Sequence, residues 1–156
     1  MAGATTRRSF LASAAAIAAA GPALAGDPVQ VGDPPPGKAF IVFYRKWEYF
    51  GVVIGYIVRE GHKEIGRLDA GTYFIATVDP GLHTYTVHAE RHDDMQITVE
   101  AGEIYYVRYE MDIGVVLYQP TLEPSEQRLF DAMSSKLKLS APVNPDGDRP
   151  PRTPPS

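Results

Sequence analysis

Between residues 38 and 140 the chain alternates short apolar stretches with glycine and proline, and this pattern limits what it can fold into. Tyr105–Met111 and Met95–Val99 place an apolar or aromatic residue at every second position. A period of two puts one set of side chains on each face of a β-strand. Many such segments at a spacing of about 8–12 residues predict a mainly β, antiparallel, Ig-like sandwich.

The strand boundaries follow from the turn residues. We predict seven or eight strands, namely Ala39–Arg45, Val52–Arg59, Lys63–Leu68, Tyr73–Val78, Leu82–Glu90, Met95–Val99, Tyr105–Met111 and Ile113–Tyr118. One C-terminal helix follows, with Pro124 at its first helical position, where the missing N–H costs nothing. Leu129, Phe130, Met133 and Leu137 predict an apolar stripe that packs on the sandwich.

Proline marks the two flanks of the predicted domain. The chain contains 14 prolines, and only Pro80, Pro120 and Pro124 lie between residues 38 and 140. Proline-rich polar segments bury too little apolar surface to offset the entropy lost on ordering. We therefore predict a linker over residues 26–37, a sandwich with its helix over 38–140, and a disordered tail over 141–156.

Residues 1–25 are typical of a cleavable signal peptide. Arg7 and Arg8 precede an apolar stretch that begins Phe10-Leu11, and a small-x-small motif ends at Ala25, after which we predict cleavage. Two arginines in this setting favour the twin-arginine export route, with the general secretory route as the alternative. The apolar stretch is shorter than the ~20 residues that span a bilayer, so we expect export without stable membrane insertion.

Composition excludes several classes of partner and site. The chain carries 15 Lys and Arg against 19 Asp and Glu, a net charge of −4 that becomes −6 without the first 25 residues. An acidic body argues against binding nucleic acid, which requires clustered cations. The chain has no cysteine. This excludes disulfides, thiolate metal sites and a lipid-anchored N-terminus, so we expect a periplasmic or secreted protein.

The sequence offers few candidates for catalysis. Every serine lies outside the predicted strands, and no glycine-rich phosphate loop is present. We therefore expect neither an enzyme nor a cofactor. For His83, after the Pro80-Gly81 turn, we predict a structural role in which one ring nitrogen bonds a nearby backbone carbonyl.

A metal- or ligand-binding enzyme is the alternative hypothesis. His83, His88 and His92 would supply its site, together with acids such as Asp93 and Asp94. His88 and His92 are weak metal candidates because the segment is expected to run from a strand end into a polar turn. A third hypothesis is that the protein carries a small apolar ligand inside the sandwich.

Two aromatic sets are candidate binding residues. Trp47, Tyr49 and Phe50 lie between the first two predicted strands, where loops at the end of a sandwich often bind partners. The alternative is that these rings cap the core. Tyr106 and Arg108, together with Glu110, would form a flat recognition face on one strand, or else belong to an ordinary solvated sheet face.

Short motifs also resemble a known family. They are Gly71-Thr72-Tyr73-Phe74, Pro80-Gly81-Leu82-His83 and the segment from Gly102 to Arg108, with a similar opening strand at residues 40–45. The chain resembles, over about residues 38–137, the exported bacterial proteins grouped as domain of unknown function family twenty-eight forty-six. The resemblance implies a prealbumin-like (transthyretin-like) sandwich in the cell envelope, with no established activity and no functional residue to carry over. Many members look like lipoproteins, from which this cysteine-free chain departs.

Together these observations predict a non-catalytic binding or structural module of the cell envelope. Its expected partner is another envelope protein or a glycan, and pairing with a second copy of the chain is a further candidate. The contact would be made by the Trp47–Phe50 loop, with an exposed sheet edge as a second surface.

Overall fold

The computed structural model describes residues 27–49, 51–87, 94–113 and 118–140, which form two β-sheets and one helix. The elements in chain order are β1 (Ala39–Arg45), β2 (Tyr56–Glu60), β3 (Lys63–Leu68), β4 (Thr72–Val78), β5 (Gly81–Val87), β6 (Asp94–Val99), β7 (Ile104–Ile113), β8 (Tyr118–Ser125), α1 (Gln127–Ser134) and β9 (Lys138–Leu139).

The two sheets pack as a sandwich. One sheet has the strand order β8-β7-β1-β4-β9 and the other has the order β3-β2-β5-β6. The predicted mainly β sandwich with a C-terminal helix is therefore confirmed, with nine strands in the described residues. Two pairs, β1 with β7 and β4 with β9, run parallel, so the larger sheet is mixed rather than purely antiparallel.

Alternating residues of both sheets form the central core. Phe43 of β1 stacks on Phe74 of β4 at 4.9 Å between ring centres, and Tyr85 of β5 meets Phe43 edge-on at 5.1 Å. Gly66 of β3 faces Phe74, and a Cβ built there would lie 2.3 Å from its ring. Glycine at position 66 therefore makes room for the ring that joins the two sheets.

Helix α1 covers the opposite face of the larger sheet. Phe130 is fully buried there and its ring contacts those of Tyr44, Tyr73 and Tyr106. Met133 packs in the same cluster, as the predicted stripe requires, while Leu129 is half-buried. Leu137 also packs there, but it lies after the end of α1 and not in the helix as predicted. The larger sheet is thus buried on both faces where the helix lies.

Three predictions about where strands and the helix begin or end are wrong. The predicted strand Val52–Arg59 begins only at Tyr56. Ile113 and Tyr118 pair across the antiparallel strands β7 and β8, so they do not belong to one strand. Pro124 lies in β8 rather than in the helix, because an edge strand tolerates a residue without an N–H.

The proline-rich segment before β1 makes specific contacts. The backbone N–H of Val29 donates to the hydroxyl of Ser134 at 3.1 Å, and Val29 and Val31 pack on the cluster around Phe130. The two valines of this segment therefore bury apolar surface against the cluster although the segment is rich in proline. The predicted signal peptide (Arg7, Arg8, Phe10, Leu11 and the cleavage site after Ala25) and the tail 141–156 lie outside the described residues.

Candidate functional site

The loop between β1 and β2, residues 46–55 and here called the β1–β2 loop, carries a cluster of exposed apolar side chains. Trp47 is 64% exposed, Tyr49 is 78% exposed and Val53 is 90% exposed, and Val52 and Ile54 are also exposed. Phe50, the third aromatic residue of the predicted contact set, lies outside the described residues. Exposed apolar residues are ordinary when scattered singly, but a cluster in one loop indicates an interaction surface.

A tight turn shapes the tip of this loop. The N–H of Ile54 donates to the carbonyl oxygen of Gly51 at 3.0 Å, which leaves Val52 and Val53 as the two central residues. Gly51 has a φ of +73°, a conformation that residues with a Cβ adopt only at a cost. The turn replaces the first half of the strand predicted from residue 52 onward.

The side chain of Arg45 lies beneath the turn and is fully buried. Its Nη1 donates to the carbonyl of Ile54 at 2.7 Å and lies 3.4 Å from the carbonyl of Leu68, while Nη2 donates to the carbonyl of Gly51 at 3.0 Å. Its Nε is buried and has no hydrogen-bond partner within the described ranges. One guanidinium thus holds both ends of the Gly51–Ile54 turn.

Two tyrosine rings enclose the same guanidinium. The Cζ atom of Arg45 lies 5.1 Å from the centre of the Tyr56 ring and 4.8 Å from that of Tyr109. Burial raises the pKa of the Tyr109 hydroxyl well above its ordinary value, so this ring stays neutral. The charge is therefore stabilised by ring faces and carbonyl dipoles, an arrangement that suits the weakly hydrated, planar guanidinium.

The base of the β1–β2 loop is fixed by packing and ion pairs. A Cβ built on Gly71 would lie 3.2 Å from the Cβ of Trp47, so the tryptophan lies against the β3–β4 turn while most of its surface stays open. Lys46 pairs with Glu48 at 2.9 Å and Glu110 at 3.3 Å. The hydrogen bond to Glu48 is the main influence that raises the pKa of Lys46.

The second candidate binding set is not an open face. Tyr106 is only 7% exposed, because its ring packs against Phe130 of α1, so the prediction that it faces solvent is wrong. Arg108 is partly exposed and bridges Glu110 at 2.8 Å and Glu123 at 3.0 Å. The pair therefore divides into a core residue beneath the helix and a cross-strand ion-pair residue.

His83 has the structural role predicted for it. Its Nε2 lies 2.7 Å from the carbonyl oxygen of Asp79, at the turn before β5, and its Nδ1 lies 2.6 Å from a carboxylate oxygen of Glu60. Desolvation lowers the pKa of His83, but the bonds to Asp79 and Glu60 and the charges of both acids together raise it above its usual range. Both partners are acceptors, so the ring donates to both only when it is protonated, and it then joins the end of β2 to the β4–β5 turn.

Three residues of the predicted metal site, namely His88, His92 and Asp93, lie outside the described residues. Within the part of the chain that is described, no three histidine or acidic side chains come close enough together to hold a metal ion. The hypothesis of a metal- or ligand-binding enzyme therefore stays a prediction.

The serines near the sheets have structural partners. Ser125 proves to be the last residue of β8, contrary to the prediction that no serine lies in the sandwich, and its hydroxyl lies 2.6 Å from that of Tyr44. Ser134 accepts from Val29 and donates to the carbonyl of Asp131, and Ser140 donates to the carbonyl of Arg67. These bonds fasten β8, α1 and β9 to their neighbours.

A cavity of about 320 Å³ lies outside the sandwich, between the segment before β1 and helix α1. Its lining includes Val29, Val31, Ile104, Tyr106 and Asp131. It differs from the tyrosine- and phenylalanine-lined interior that a carrier of apolar ligands would need, because Tyr106 is its one aromatic lining residue. It therefore does not favour the carrier hypothesis.

Comparison with known proteins gives the family. Residues 35–121, more than half of the chain, match the profile of the family described as "Protein of unknown function (DUF2846)". The chain belongs to this family. The matched range contains β1 to β7 and therefore the whole β1–β2 loop and Arg45. No curated protein and no solved structure matches the chain.

The family predicted from the short motifs is confirmed by this match, which assigns no activity. Among the described elements, no helix is long and apolar enough to cross a membrane.

Proposed function

We propose that this protein is an exported, non-catalytic binding module of the cell envelope, and that the β1–β2 loop is its contact surface. The observation that carries the proposal is the exposure of five apolar side chains on one loop, namely Trp47, Tyr49, Val52, Val53 and Ile54. Export is supported by the signal-like residues 1–25.

Clustered exposure favours binding over a role in the core. Burying Trp47 and Tyr49 against a partner would remove large aromatic surfaces from water, and such residues contribute most of the binding energy in many interfaces. The turn beneath them is already fixed by Arg45, so little loop entropy would be lost on association. A loop of this kind binds without rearranging the sandwich.

The composition of the loop favours a protein partner. Aromatic rings stack on sugars, but Val52, Val53 and Ile54 offer no polar group for a glycan and are suited to an apolar groove. Lys46 is already paired with Glu48 and Glu110, so the loop presents little net charge. We therefore place an envelope protein ahead of a glycan as the partner.

Alanine substitution of the two exposed aromatic residues tests the proposal. The double variant Trp47→Ala/Tyr49→Ala should lose the proteins that the immobilised full chain retains from an envelope extract, while the melting temperature changes little. The matched control is Leu82→Ala, because Leu82 is 65% exposed on β5, far along the sequence from the loop.

The opposite changes in melting temperature and in retention would contradict the proposal. If the double variant melts many degrees lower and retains the same proteins as the unmodified chain, the loop is part of the folded core rather than a contact surface. A loss of retention in Leu82→Ala as well would show that retention depends on nonspecific apolar contacts and not on the β1–β2 loop.

A further inference from the structure

We infer that Arg45 is the positioning residue of the β1–β2 loop, the side chain that keeps Val52 and Val53 at its tip and thereby shapes the contact surface. The inference deepens the proposed function and rests on it for the meaning of the surface. The conformational part, that Arg45 holds the turn, stands on contacts within the chain and can be tested without a partner.

The turn needs support from outside its own sequence. Val52 and Val53 are β-branched residues, which favour extended strands and are uncommon at the centre of a tight turn. The sequence alone accordingly predicts a strand that starts at residue 52. Within the turn the Ile54 N–H to Gly51 carbonyl bond is the closing hydrogen bond, and a single bond contributes little against that preference.

Arg45 supplies the missing support at both ends of the turn. Nη2 bonds the carbonyl of Gly51, the first residue, and Nη1 bonds the carbonyl of Ile54, the last residue. The planar fork of a guanidinium can hold two carbonyls at a fixed separation, which a lysine ammonium cannot do in the same way. The separation of the two ends is therefore set by the side chain.

The guanidinium is itself anchored to both sheets. Tyr109 belongs to β7 of the larger sheet, whereas Tyr56 and Leu68 belong to β2 and β3 of the smaller sheet. The loop is thus tied through one side chain to both layers of the sandwich. Motion of the tip relative to the body would break contacts in both sheets.

The dependence runs in both directions. Within the described residues no carboxylate forms an ion pair with Arg45, so its buried charge relies on the carbonyls of the loop and on two ring faces. If the turn opened, the charge would stay buried with fewer acceptors, which is unfavourable. The charge and the turn therefore stabilise each other.

Amide hydrogen exchange on the full chain tests the inference. The variants are Arg45→Lys, which keeps the charge, and Arg45→Met, which keeps the length of the stem. Arg59→Lys is the matched control, because Arg59 pairs with Glu64 on β2 and β3 and forms no bond to the described residues of the loop. The probes are the Ile54 amide, which closes the turn, and the Val42 amide in the centre of β1.

Both Arg45 variants should exchange the Ile54 amide at least about tenfold faster than the unmodified chain, since local opening no longer breaks the bonds to Arg45. Arg59→Lys should leave the Ile54 rate unchanged. The Val42 amide reports opening of the whole sandwich, so a loss of global stability alone would raise the Val42 rate and leave the faster local exchange of Ile54 unchanged. An Ile54 rate that stays constant in both Arg45 variants would overturn the inference.

The outcome is independent of the binding experiment. If the Ile54 rate rises but Trp47→Ala/Tyr49→Ala still retains the same envelope proteins, Arg45 positions the loop and the proposed contact function fails. If the Ile54 rate stays constant and retention is lost, the loop binds but Arg45 does not shape it.

Discussion

The guanidinium of Arg45 lies 4.8 Å from the centre of the Tyr109 ring, so a charge at the end of β1 is covered by an aromatic face from β7. β1 and β7 are parallel neighbours, and Arg45 and Tyr109 are register partners in this pair. The contact between the two side chains is therefore set by the register of the two strands. The contact links β1 and β7 of the larger sheet to the β1–β2 loop.

Removal of the Arg45 side chain should cost far more stability than removal of the exposed tryptophan. Arg45→Ala loses two ring contacts and the bonds to loop carbonyls, and we expect the free energy of unfolding to fall by about 2–4 kcal/mol. Trp47→Ala should cost less than about 1 kcal/mol, because most of the ring is already in water. Urea unfolding measures both, and equal losses would contradict the division between support and surface.

Gly51 should be harder to replace than another glycine with the same backbone requirement. Gly51 and Gly61 both have positive φ, but a Cβ at Gly51 would lie 3.2 Å from Nη2 of Arg45 and 3.3 Å from Cε of Met111, while at Gly61 nothing lies within 4 Å. Both alanine variants incur the left-handed strain of about 1–2 kcal/mol. Chemical denaturation should show an additional loss for Gly51→Ala; matching values would mean that the turn is not packed on Arg45.

Gly66 should show strong coupling to Phe74. A Cβ at Gly66 would lie 2.3 Å from the Phe74 ring, so Gly66→Ala forces the core apart and should lower the free energy of unfolding by about 1–3 kcal/mol. In a Phe74→Leu background the same substitution should cost less, because the shorter side chain leaves space. A double-mutant cycle measures the difference, and strictly additive losses would argue against this contact.

The His83 network should make stability depend on pH. The pKa of His83 is raised in the folded state, so its contribution is complete below the unfolded value of 6.5 and is lost as pH rises through the folded value. The stability difference between the unmodified chain and His83→Gln should therefore shrink as pH increases through this range. Urea unfolding across a pH series tests this, with His62→Gln, a substitution of an exposed histidine, as the control.

Much of the fold follows from local sequence pattern. β1 is predicted with its correct bounds because it is apolar on both faces, as a strand covered by a second sheet and by a helix must be. β3 is likewise correct, since Gly61-His62 marks the turn before it. The parallel pairing of β1 with β7 was missed, because it depends on residues far apart in sequence and has no local signal.

The errors arise where tertiary contacts override local preference. Val52 and Val53 favour a strand, and the bonds from Arg45 hold them in a turn. β8 was missed because Pro120 and Pro124 normally interrupt strands, yet both lie on the edge of the sheet. Tyr106 was expected on the surface because strand alternation does not reveal that a helix covers the second face.

The central role of Arg45 left one signal in the sequence. Ile41, Phe43 and Arg45 occur at every second position of β1, so alternation places the arginine on the same face as two core residues. A cation on an inward face calls for ring or carbonyl partners. Those partners, on β2, β7 and the loop, are identified only by the folded structure.

Trp47 offers the most direct test of the contact surface, because it is the one tryptophan in the chain. With fluorotryptophan incorporated, the full chain gives a single fluorine NMR resonance, and an unlabelled envelope extract adds no signal. We predict that the resonance shifts or broadens when extract is added and that an excess of unlabelled chain reverses the change, whereas unlabelled Trp47→Ala/Tyr49→Ala does not. A resonance that stays unchanged while the protein is retained on envelope proteins would contradict the account.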